Sequence, residues 1–186
     1  DAYARLRAVL RPETVIVFHD GFRLLRWGGW FRRAGMRNVM LDTHQYLIAM
    51  EDPLFSGPAR RLYLRSRRLP WLYRMLVGAS GIAIRSAARR IPVLVGEWCV
   101  ENQWALHSQN RSAAYRQVSR LQRAAWDVSA GQIYWSYQLA RSAKPGSGEG
   151  KPPRDPRNGG NLEAWDLTRV WRHGWIRADT SHDDVP

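Results

Sequence analysis

The chain has 186 residues, 45% of them hydrophobic and ten of them tryptophan, with a net charge of +13. That length and apolar content suit one domain with its own core and exclude a disordered class. No apolar run of about 18 residues occurs, so no membrane span is predicted.

Residues 1–10, DAYARLRAVL, set Tyr3, Leu6, Val9 and Leu10 on one helical face, with Asp1 as a candidate N-cap and Pro12 past the end. TVIVFHD (14–20) is a short β-branched strand that ends in His19 and Asp20. Residues 24–34 predict an aromatic-rich helix weakened by Gly28 and Gly29. NVMLDTHQY (38–46) is a second strand, its polar residues gathered at the far end. A basic, mostly helical region spans 59–90, with breaks expected near Pro70 and near Gly78 and Gly81. Its RRLYLRSRR run (60–68) reads as a solvated helix face. The other arginines are dispersed, the only lysines are Lys144 and Lys151, and no nucleic-acid motif occurs, so nucleic-acid binding is disfavoured.

IPVLVGEW (91–98) follows, an apolar strand buried on both faces with one carboxylate, Glu97, at its C-terminal tip. A carboxylate there is costly unless it faces a cleft with polar partners. Ala114, Val118, Leu121, Ala125 and Val128 recur at helical spacing, the clearest amphipathic helix of the chain. GQIYWSYQL (131–139) is the fourth strand. The Gly/Pro-rich stretch 141–161 predicts a flexible loop, EAWDLTRVWRHGWI a final helix or an ordered aromatic return, and 177–186 a disordered tail. Strands joined by helical crossovers imply a parallel sheet in one α/β domain. Starting on Asp1 with no methionine or signal-like segment, the chain is expected to be a mature piece or a fragment. The single Cys99 allows no internal disulfide.

Each strand ends in polar or aromatic groups: His19 and Asp20, then His44 and Tyr46, then Glu97 and Trp98, then Trp135 and Tyr137. Such a row at one end of a parallel sheet is the pattern of a barrel's catalytic rim. No HExxH or CxxC spacing occurs, and His182, Asp183 and Asp184 lie at a terminus, so neither a metal nor another cofactor is expected. One carboxylate, a His-x-Tyr and a tryptophan on neighbouring strands suit glycoside cleavage. There a carboxylate attacks, a second carboxyl about 5–5.5 Å away moves the proton, and an indole packs on the sugar's C–H face.

The segments HDGF, DTHQY, VLVGEW and IYWSYQL, in this order and spacing, resemble the second half of glycoside hydrolase family 5, in its cellulase-like and exo-β-1,3-glucanase-like form. The resemblance covers roughly 1–176. It implies strands five to eight of a TIM (β/α)8-barrel, a retaining mechanism on β-glucan-type polysaccharides or β-glucosides, and a secreted location. It makes Glu97 the nucleophile at the end of strand seven, with His44 and Tyr46 its His-x-Tyr partners on strand six. Trp135 is then the sugar platform of strand eight, with His19, Asp20, Trp98 and Tyr137 as further substrate-binding candidates. The family's acid/base glutamate follows an asparagine on strand four, and no Asn-Glu pair occurs here; Glu101 and Asn102 stand in reverse order and after strand seven. The expectation is half a barrel with half a catalytic pair, inactive in turnover without a missing N-terminal half. A sugar-binding remnant of the same fold is the alternative.

Overall fold

The computed structural model describes residues 2–27, 29–55, 69–139 and 162–177. The arginine run 60–68, the expected loop 141–161 and the tail 178–186, with His182, Asp183 and Asp184, lie outside the described residues.

Four strands form one sheet in the order β1-β2-β3-β4, every pair parallel. They are β1 (Ile16–His19), β2 (Val39–Gln45), β3 (Val93–Trp98) and β4 (Gly131–Tyr134). The fourth strand therefore stops short of the predicted span, before Trp135. Helices α1 (Ala2–Val9), α2 (Leu24–Trp27), α3 (Trp30–Arg33), α4 (Leu47–Phe55) and α5 (Leu69–Ala88) precede β3. Then come α6 (Gln103–His107), α7 (Arg111–Trp126), a 3-10 turn at Leu162–Trp165 and α8 (Leu167–Arg172). The helix expected over 24–34 is two short helices, Leu24–Trp27 and Trp30–Arg33.

The core lies on one face of the sheet. Ile16, Leu41, Val93 and Val95 from the strands meet Ile84 and Ala87 of α5 and Ala114, Tyr115 and Trp126 of α7. On the opposite face Val17 and Ile133 are half-exposed. A parallel sheet is ordinarily covered on both faces; here the second side is open and Leu94 of β3 is only partly covered, so that strand is not buried on both faces as expected.

The breaks predicted in 59–90 do not appear within α5, which runs unbroken from Leu69 to Ala88. Pro70 falls in the first turn, where no intrahelical partner is required of its missing N–H. Gly81 is there for space: a Cβ on it would meet the Ala125 carbonyl oxygen at 2.8 Å, so it lets α5 lie close against α7. The Trp126 indole donates to Ser80 Oγ at 2.8 Å across the same seam. Burial of Tyr73, Val77 and Ile84 outweighs the propensity cost of two glycines, about 1 kcal/mol each.

Neither α4 nor α6 was legible from periodicity, and a buried polar knot joins them. The Glu51 carboxylate, fully buried, accepts from the Tyr73 hydroxyl and, at 2.9 Å, from the Gln103 N–H. Tyr73 in turn accepts from the Trp104 N–H at 3.0 Å. Burial first, and then the Glu51 charge, raises the Tyr73 pKa far above the ordinary phenol value, so the ring remains a donor. The segments leaving β2 and β3 are thereby tied together above the C-terminal edge of the sheet.

Two outcomes follow in urea unfolding. Gly78→Ala, whose Cβ would meet nothing within 4 Å, raises stability by up to about 1 kcal/mol. Gly81→Ala lowers it by about 1–3 kcal/mol. In addition β1 and β4 each lack a second neighbour in the described sheet, and open apolar edges pair with other chains. Sedimentation velocity should show concentration-dependent self-association, reduced by Val17→Lys and Ile133→Lys.

Candidate active site

Along β2, burial alternates strictly from Val39 to Gln45. Val39, Leu41, Thr43 and Gln45 face the core, while Met40, Asp42, His44 and the following Tyr46 share the open face. Period-2 geometry is sufficient to gather DTHQY's acid, imidazole and phenol on one side.

On β3 the same rule would fail without a bulge. Val93 and Val95 are fully buried, so plain alternation would bury Glu97 and expose Trp98. Instead the ladder slips: Thr43 pairs with Val95, but His44 pairs with Glu97, leaving Gly96 as the extra residue. A bulge of this kind re-aims the side chains after it. Glu97 turns to the open face beside His44, and Trp98 turns into the core.

The result is a compact polar cluster. The Tyr46 hydroxyl donates to Glu97 Oε2 at 2.8 Å. His44 Nδ1 lies 3.1 Å from the same oxygen, and His44 Nε2 lies 3.1 Å from Asp42 Oδ2. Burial, together with the hydrogen bond and charge of Glu97, raises the Tyr46 pKa far above the usual phenol value, which keeps it a donor. Glu97 Oε1 has no hydrogen-bond partner among the described residues and its side chain is 26% exposed. One oxygen of the carboxylate is held; the other is open to a ligand.

Aromatic rings surround the cluster. Trp165 stacks on Tyr46 at 5.2 Å between ring centres. The His19 ring sits edge-on to His44 at 4.3 Å, and Phe22 closes on both at 5.3 and 6.3 Å. Phe22 is 75% exposed and has a positive φ of 59°, which is unusual for a bulky side chain. Trp135 follows β4 half-exposed, its N–H donating to the Trp98 carbonyl at 2.8 Å, with a cis peptide bond to Ser136. Because Tyr134 packs on Trp98 in the core, Ile133 and Trp135 take the open face that Glu97 shares. A cleft of about 500 Å³ lies between β2 and α5, walled by Asp20, Phe22, Thr43, Leu76 and Ser80, with His44 and Tyr46 also on its walls and Glu97 and Trp135 outside them.

Three sequence candidates are engaged in other ways. Trp98 is 4% exposed and packs edge-on against Trp126 and Tyr134, so it belongs to the core and offers no face to a sugar. Asp20 is 1% exposed, and both its oxygens are engaged: Oδ1 accepts from the Phe22 N–H at 2.7 Å and Oδ2 from Thr43 Oγ1 at 2.8 Å. It shapes the turn after β1, including the positive φ of Gly21 and Phe22. Tyr137 is 66% exposed, and its ring meets no other aromatic among the described residues. Glu101 is buried against the Tyr115 hydroxyl at 3.2 Å, away from the open face.

Sequence reasoning missed Asp42, Phe22 and Trp165. Asp42 was accessible through parity with His44. Trp165 was not, because its place depends on a distant tie. Ser136 donates its N–H to the Trp165 carbonyl at 2.7 Å, and Leu139 donates its N–H to Asp166 Oδ2 at 3.1 Å. Asp166 also caps α8, accepting from the Arg169 N–H at 3.1 Å and from the Thr168 hydroxyl. Compared with known proteins, the chain matches no family model and no curated sequence.

Burial pulls the Asp166 pKa upward, but the bonds from Thr168, Leu139 and Arg169 win and hold it below the usual 3.8. A carboxyl lowered on folding contributes stability that is full above its unfolded value and is lost as pH falls through the folded one. Asp166→Ala therefore lowers stability by about 1–2 kcal/mol at neutral pH. The gap to the wild type narrows below pH 3.8 in a pH series of urea titrations.

Proposed function

We propose that the cluster is the nucleophile side of a retaining β-glycosidase acting on β-glucan-type polysaccharides or β-glucosides. The observation that carries this reading is the asymmetric carboxylate. Glu97 is lifted from the strand by a bulge, with Tyr46 and His44 on Oε2 and nothing on Oε1 among the described residues. The Tyr46 hydrogen bond and the nearby His44 ring fix where that oxygen points and so orient the group. Oε1 then attacks the anomeric carbon as the leaving oxygen departs, giving a covalent glycosyl-enzyme that water later hydrolyses. Forming that bond neutralises Glu97; in the hydrolysis that follows, the negative charge returns to the carboxylate, and Tyr46 and His44, against Oε2, stabilise it as it is released. Trp135, half-exposed on the same face, suits the apolar side of the sugar ring.

The four parallel strands fit strands five to eight of a (β/α)8-barrel, the arrangement implied by the resemblance to glycoside hydrolase family 5. A barrel of this type takes about 250 residues. The acid/base carboxyl belongs, in this reading, to a complementary half. Asp42 does not fill that role, since it is turned into the sheet toward His44 and Gly96.

A 2-deoxy-2-fluoro-β-glucoside with a dinitrophenolate leaving group tests the nucleophile by itself, because that leaving group departs without a proton. Mass spectrometry should find one fluoroglucosyl group on the peptide bearing Glu97, and none in Glu97→Gln. Trp135→Ala should weaken sugar binding and slow labelling together, since stacking serves ground state and transition state alike. Absence of labelling with retained binding of β-glucan oligosaccharides would favour the sugar-binding remnant instead.

A further inference from the structure

We propose that Asp42 is a positioning residue for Glu97, acting through His44; this rests on the reading of Glu97 as nucleophile. Asp42 and His44 are neighbours on the open face of β2, two residues apart. His44 spans the space between two carboxylates, with Nε2 3.1 Å from Asp42 Oδ2 and Nδ1 3.1 Å from Glu97 Oε2. An imidazole gripped at one nitrogen has its ring plane and the direction of the other nitrogen decided for it. Asp42 therefore aims His44 Nδ1 at Glu97.

Gly96 supplies an independent sign that this place is reserved. Its backbone is outside the left-handed region, so glycine is not required there for conformation. What excludes a side chain is Asp42: a Cβ on Gly96 would lie 2.0 Å from Oδ1, 2.7 Å from Cγ and 3.0 Å from Oδ2, with no nearer atom from any other residue. The bulge glycine that turns Glu97 outward thus also makes room for the carboxylate that orients its partner. Asp42 Oδ1 is buried with no hydrogen-bond partner among the described residues. An unpaired buried oxygen is costly, and a residue kept only to fill space would be better served by an apolar side chain. Its other oxygen, on His44, is the reason for an acid at this position.

The test uses the 186-residue chain with three readouts. Long-range 1H–15N spectra of the His44 ring should show a hydrogen-bonded proton on Nε2 and a second on Nδ1, because each nitrogen faces a carboxylate oxygen. Asp42→Ala should lose the Nε2 proton to rapid exchange and move the Nε2 resonance. Asp42→Asn, which keeps an acceptor, should retain the proton at a higher-field shift, and it carries this readout if Asp42→Ala does not fold. The second readout is a double-mutant cycle in urea. Gly96→Ala should destabilise the wild type but cost little in an Asp42→Ala background, because the clashing oxygens are gone. The third is the rate of fluoroglucosyl labelling, which should fall on the order of tenfold to a hundredfold in Asp42→Ala, as expected when a reacting group is slightly misaimed, and recover in part in Asp42→Asn.

Unchanged His44 signals in both Asp42 variants, an equal cost of Gly96→Ala in both backgrounds, or unchanged labelling would overturn the proposal. If instead no protein is labelled while the spectra and the cycle behave as expected, Asp42 still orients His44 and it is the nucleophile reading of Glu97 that fails.

Discussion

Strand parity is the constraint on which the rest depends. A carboxylate placed in an apolar strand must face either the packed helices or the open side, and period-2 geometry assigns it to the packed side. One extra residue, Gly96, reverses that assignment for Glu97 and Trp98 together. The reversal does two jobs at once. It brings Glu97 beside His44 and Tyr46, and it delivers a large indole to the core, where Trp98 packs between Trp126 and Tyr134. A carboxylate forced into that core would have lacked partners at a cost of several kcal/mol, so the bulge is required by stability as well as by the site.

The polar groups at the C-terminal edge fall into two sets with different work. Asp20, Glu51 and Asp166 have their oxygens engaged by backbone N–H groups and hydroxyls, and they hold the turns and helix ends that leave the strands. His44, Tyr46 and Glu97 are partly exposed and bond chiefly with one another. The first set makes the second rigid. Asp166, for example, fixes the return of the chain that lays Trp165 on Tyr46, and Tyr46 is in turn held to Glu97.

Local signals carried far in this sequence, and distant contacts mark where they stopped. The apolar start and polar end of NVMLDTHQY and the apolar run IPVLVGEW revealed β2 and β3, and the βα rhythm implied the parallel order observed. Asp42 lies two residues from His44 in that strand, so its place on the same face was readable. The destiny of Trp98 was not, because only the register against β2 reveals which side chain the glycine displaces. The glycines of α5 misled for a related reason: Gly81 is chosen by the approach of α7, which no local window contains. Helices α4 and α6 were missed because each is short: a buried Glu51–Tyr73 knot ties them together beside a few apolar contacts, those of Leu47 and Met50 in one and Trp104 and Ala105 in the other. Asp20 looked like a site residue from its position at a strand end, yet the turn after β1 consumes both its oxygens.

The open face governs the cluster's electrostatics. Met40 and Leu94 are only partly covered there, and Val17 and Ile133 are half-exposed, so the floor beneath Glu97 is apolar but wet. In the proposed barrel, side chains from facing strands would fill that space in layers. Water would be displaced from the floor, and the Tyr46 bond and the His44 contact to Glu97 would act in a medium of lower dielectric, where each is stronger. The geometry of the three side chains is already set by β2 and the bulge of β3, so closing the face would not need to build it. It would need to bring the opposing carboxyl and to dry the site, which are the two things that distinguish an oriented carboxylate from a working one.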